Sequence, residues 1–131
     1  MRFTLLFSAF FMGQLAMASG WDCYGGEYHA ILRNSTTAPR VPAVFVLSHR
    51  SEGTILTAKT QDIAKTNLTD HVEYAAFGPG EDLAATLSVY HLEGIHQPLK
   101  SGDVASGTLL LEEREGKSET VPMLCERYLK N

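Results

Sequence analysis

The chain is 131 residues long, with 11 Lys and Arg against 15 Asp and Glu, a formal net charge of −4 and a mean hydropathy of −0.07. An acidic balance with scattered bases excludes a nucleic-acid binder, because phosphate contacts need clustered Lys and Arg. At 44% hydrophobic and 20% charged residues, the composition also excludes a disordered chain and can supply a core.

In chain order the first signal is a leader. Arg2 is a minimal positive region, residues 3–12 (FTLLFSAFFM) are apolar, and Ala16-Met17-Ala18 has the small-x-small pattern a signal peptidase reads. The apolar stretch is far short of the roughly 20 residues that span a bilayer. The expectation is a secretory signal peptide over residues 1–18 and a single β-rich domain over residues 19–131, secreted or periplasmic, with no transmembrane segment in the mature chain. Loss of Arg2 leaves 10 basic against 15 acidic residues, a mature net charge of −5.

Trp21, Cys23, Tyr24 and Tyr28 follow directly. Tyr and Trp combine apolar area with a polar tip and anchor interfaces, so Trp21, Tyr24 and Tyr28 form the candidate binding face. Packing around Cys23 is the other role open to them. Residues 27–33 (EYHAILR) make a first run, ended by 34–39 (NSTTAP). Residues 41–48 (VPAVFVLS) are apolar on both sides, with Val41, Ala43, Phe45 and Leu47 opposed to Val44 and Val46, a pattern suited to a strand covered twice. Pro42 belongs at the strand's start or on an edge, since it cannot donate to a ladder.

Residues 49–53 (HRSEG) read as a hairpin loop leading into 54–59 (TILTAK). Residues 60–70 suit a short helical turn or a loop. Residues 71–77 (HVEYAAF) read as a strand stopped by Gly78-Pro79-Gly80, a tight turn. Residues 81–92 (EDLAATLSVYHL) carry helix start and stop signals, yet Leu83, Ala85, Leu87 and Val89 alternate cleanly, and the strand reading is preferred. A long connection over 93–107 precedes a hairpin of residues 108–114 and 118–128 around Glu115-Gly116-Lys117.

Cys23 and Cys125 bracket this domain. Without a C-x-x-C pattern, and in an exported chain, they are expected to form a structural disulfide. Closing so long a loop stabilises by about 4–5 kcal/mol on the chain-entropy model. The fold expectation is all-β or β-rich: a small antiparallel sandwich or barrel of six to eight strands, with the disulfide between the first and last mature strands.

Chemistry is sparse. The densest histidine grouping is His91, Glu93 and His96, a candidate metal or acid–base set, while His71 and Glu73 would share one face of a strand. There is no H-E-x-x-H, H-x-H or G-x-S-x-G, so catalytic residues are unassigned and no cofactor is required. Asn34 and Asn67 both satisfy the N-x-S/T acceptor pattern and fit exposed loops.

The layout of a leader, an early Cys23-x-x-Gly26, a β-rich middle and a late Cys125 resembles that of small periplasmic barrels such as the C-type lysozyme inhibitors. The Ser-Gly-x-x-Tyr element of that family is missing: Ser101-Gly102 precedes Asp103-Val104-Ala105, and Ser106-Gly107 precedes Thr108-Leu109-Leu110. No inhibitory residue carries over. The functional expectation is a non-catalytic binding or interaction module whose partner is a protein, glycan or small ligand. A small hydrolase or metal-dependent enzyme, and an envelope or assembly subunit using a free strand edge, are the alternatives.

Overall fold

A computed structural model describes residues 19–38, 40–78, 80, 82–90 and 101–129. The leader, and the candidate set His91, Glu93 and His96, lie outside the described residues. Nine strands form: β1 (Gly20–Gly25), β2 (Tyr28–Asn34), β3 (Pro42–His49), β4 (Gly53–Lys59), β5 (Ile63–Asn67), β6 (His71–Phe77), β7 (Leu83–Tyr90), β8 (Val104–Glu113) and β9 (Ser118–Tyr128). All pairings are antiparallel, in the order β4-β3-β2-β1-β9-β8-β7-β6-β5.

The expected all-β class is therefore observed as a nearly closed barrel. Its two edge strands, β4 and β5, are separated only by the 3-10 turn Thr60–Asp62, and β5 also packs beside β3 and β4 beside β6. The stretch 53–67 is in effect one bent strand shared between the two edges, so the nine strands make eight runs around the barrel. The ninth strand comes from residues 60–70, for which the sequence predicts a short helical turn or a loop: the helical turn forms at Thr60–Asp62, but Ile63–Asn67 is a strand, because its backbone pairs with β6.

Alternation decides what fills the interior. Every second residue of each strand points inward, and Leu32, Phe45, Leu47, Leu87 and Leu109 are fully buried there with the cystine. Leu83, Ala85, Leu87 and Val89 take the inward positions of β7, which is why alternation prevails over the helix signals at the ends of that segment. Cys23 and Cys125 stand directly opposite on β1 and β9, with Cα atoms 3.9 Å apart, and join the first and last strands. Such a bond is the chemistry of an oxidising, non-cytosolic compartment. No helix among the described residues is long and apolar enough to cross a membrane.

Two local expectations are corrected. The strand beginning at Pro42 is covered on one face only: Phe45 and Leu47 are buried, whereas Val44 and Val46 are half-buried on the outer wall and Val41 is exposed before the strand. A barrel this small has one dry side. Asn34 is not in an exposed loop but ends β2 with 7% exposure, at a register shift against β3, so it is a poor acceptor; Asn67 at the end of β5 is exposed.

The two ends of the barrel differ in construction. One, the turn end, carries the connections at residues 26–27, 50–52, 78–82 and 114–117, with Gly53 and Gly116 at φ +77° and +96° as tight turns of this kind demand. The other, the terminus end, holds the start of β1, the end of β9 and the connections at 35–41 and 68–70.

Candidate functional site

Strand alternation sends the three aromatic residues near the chain start to three places. Trp21 is an odd number of residues from Tyr24, so the two face opposite sides of β1. Trp21 is 6% exposed and lies inside, toward the terminus end. Tyr24 is 53% exposed on the outer wall. Tyr28, at the inward position of β2, reaches the mouth of the turn end.

That mouth is a concavity of about 480 Å³ over Ile55, Leu83 and Leu111, rimmed by Glu52, Asp82, Glu113 and Glu119 with Lys117 among them. The Tyr28 hydroxyl donates to Glu119 Oε1 at 3.2 Å. Burial first, then Glu119, Glu52 and Glu113, push this hydroxyl above its usual pKa. The rim carboxylates are solvated, and Asp82 meets Arg114 at 3.4 Å with both side chains largely exposed.

The terminus end is lined by donors. Arg127, two residues beyond Cys125 and on the same face of β9, lays its guanidinium 5.1 Å from the centre of the Trp21 ring and donates from Nη1 to the Gly20 carbonyl at 3.3 Å. Its Nε is buried without a partner. Burial raises the Tyr74 hydroxyl pKa, against opposing pulls from Arg127 and the neighbouring Trp21 side chain. Lys65 pairs in register with Tyr74, shares its inward face, and donates to the Arg40 carbonyl at 3.0 Å. Burial, then Arg40 and Arg127, lower the Lys65 pKa, and burial lowers that of Arg127.

The outer wall of β1, β9 and β8 gathers apolar side chains. Tyr24 pairs in register with Leu124, which is 58% exposed, and Leu124 with Ser106; Val104, two residues from Ser106 on the same face, is 47% exposed. Tyr24 is held upright by stacking on His29, with ring centres 4.2 Å apart and planes at 13°. Ile31 and Val46, a half-buried cross-strand pair, continue the strip onto β2 and β3.

Of the described histidines, His49 and His71 hydrogen-bond locally, whereas His29 stacks on Tyr24 and its buried Nε2 has no partner among the described residues. His71 is bracketed by Asp70 (Nδ1 to Oδ1, 2.7 Å) and Glu73 (Nε2 to Oε2, 3.2 Å), so the expected sharing of a face with Glu73 is seen. With both ring nitrogens facing carboxylates, the imidazolium is favoured and its pKa raised. His49 Nδ1 accepts the Ser51 amide at 3.2 Å and lies 3.1 Å from Ser51 Oγ, a hairpin contact that the sequence reading did not anticipate. The one lone pair of that nitrogen already serves the main chain. Among the described residues, no three His, Cys, Asp or Glu side chains are placed to hold a metal ion.

No protein-family model, curated protein or solved structure matches the chain.

Proposed function

We propose that the chain is an exported, non-catalytic binding domain that engages a protein partner through the outer wall centred on Tyr24. The observation that carries this reading is the register pairing of exposed Tyr24 with exposed Leu124, with Val104 alongside, on three adjacent strands. These exposed apolar side chains stand on the outside of a barrel, a convex surface that suits a macromolecular partner better than a small ligand, whose sites are concave. Stacking on His29 orders the Tyr24 ring before contact, which reduces the entropy lost on binding. A buried disulfide and the leader-like residues 1–18 support export.

The test is capture of a partner from the protein's native compartment by the oxidised protein and by the Tyr24→Ala/Leu124→Ser double variant. Truncating a central aromatic anchor should weaken a specific partner by at least about tenfold while leaving circular dichroism unchanged. Equal capture by the folded double variant, or a partner captured equally by an unrelated barrel, rejects the outer wall as the binding face.

A further inference from the structure

The interior of the terminus end is unusual for a barrel core: it brings two cations to the inward side of the sheet from opposite walls. Arg127 reaches in from β9 and Lys65 from β5, and the charged neighbours acting on Lys65 are themselves cations, Arg40 and Arg127. Like charges on the inward side of a sheet repel more than fully solvated ones, and an anion between them would relieve that repulsion.

Among the described residues, the donors of these two side chains are only partly used. Arg127 has five N–H donors in a fixed fork, of which Nη1 serves the Gly20 carbonyl and Nε is buried without a partner. Lys65 has three donors, and the Arg40 carbonyl takes one. Trp21 lies under the Arg127 guanidinium and Tyr74 pairs in register with Lys65, so an aromatic ring accompanies each cation. Arg127 is also held at the main chain, its amide donating to the Asp103 carbonyl at 2.7 Å and its carbonyl accepting from Gly102 at 2.8 Å. A guanidinium fork and an ammonium, positioned by rigid strands and flanked by aromatic faces, match the geometry of an oxyanion.

We propose that the terminus end of the barrel binds an oxyanion group, phosphate or carboxylate, between Arg127 and Lys65. The site is separate from the outer wall around Tyr24 and does not depend on it.

The chain has a single tryptophan, and it lies beneath Arg127, so Trp21 emission reports on the site directly. Inorganic phosphate and acetate are titrated separately at constant ionic strength, with chloride as the balancing ion. A saturable change in Trp21 emission with either oxyanion is expected, and the stronger responder identifies the group. Lys65→Met keeps the apolar stem and removes the charge; it should weaken the response by roughly tenfold without lowering the melting temperature. Arg127→Lys, which keeps charge but loses the fork, should weaken it as well. The proposal is overturned if neither oxyanion gives a saturable change beyond the chloride control, or if Lys65→Met responds with the same midpoint as the parent protein.

Discussion

The two ends of this barrel share one apolar belt and differ in nearly everything else. At the turn end, hairpins close every run and the carboxylates of Glu52, Asp82, Glu113 and Glu119 stand in water around an open mouth. At the terminus end the chain starts and stops, and its charges are carried inward by Lys65 and Arg127. Solvated like charges repel weakly, half-buried ones strongly. The acidic rim is thus tolerable without a ligand, whereas the inward cations are where binding an opposite charge has most to gain.

The largest effect should come from unfastening the seam between β1 and β9. Replacing both cysteines in a Cys23→Ala/Cys125→Ala variant removes a cross-link that closes a loop of 102 residues, and should lower the unfolding free energy by about 3–5 kcal/mol in urea titration. The loss should be uneven. Pairs such as Gly20 with Tyr128 and Trp21 with Arg127 lie beyond the cystine, toward the chain ends, so their amide protection should fall first. The hairpins at the turn end are closed locally and should keep theirs longer. Uniform loss across both ends would show that the barrel opens as one unit and erase the distinction drawn above.

A smaller effect tests the belt between the ends. A methyl group at Gly107 would stand 2.6 Å from the Ser88 carbonyl oxygen and 3.0 Å from Cys125 Sγ, both fixed by the sheet and the disulfide. Gly107→Ala should therefore destabilise by about 1–3 kcal/mol, seen as a lower urea midpoint with an unchanged slope. If the slope falls too, the substitution has disturbed the compactness of the native or denatured state rather than the packing alone.

The belt was legible in the sequence because burial in a barrel is a matter of parity. Leu83, Ala85, Leu87 and Val89 announced an inward face of β7, and cysteines near each end of the domain announced a seam. Parity also held the answer for the aromatic trio: Trp21 shares a face with Cys23, and Tyr24 cannot. Proximity in sequence suggested one patch where alternation made two walls. Arg127, in phase with Cys125, could have been placed inside by the same rule. That it shares the terminus end with Lys65 could not, because this depends on how β5 closes against the far side of the sheet, and no local pattern encodes closure. The burial of Asn34 escaped for a related reason, since it follows from a register shift between β2 and β3.

The smallest expected effect separates the ends by pH. His71 begins β6 at the terminus end, and hydrogen bonds to Asp70 and Glu73 raise its pKa above the usual 6.5. Its contribution to stability is complete below 6.5 and disappears as pH rises through the folded value. His29, nearer the turn end, is stacked on Tyr24 and has its pKa lowered, chiefly by burial and further by Arg33, against an opposing pull from Asp22. Its contribution is complete above 6.5 and disappears as pH falls through the folded value. Urea midpoints measured across this range should therefore change slope in opposite senses: His71→Gln should flatten the alkaline side of the profile and His29→Gln the acid side. If His71→Gln leaves the alkaline side untouched, the carboxylate bracket at the terminus end does not persist in solution. If both variants alter the same side, the contrast between a carboxylate-bracketed ring and a half-buried, stacked one is wrong.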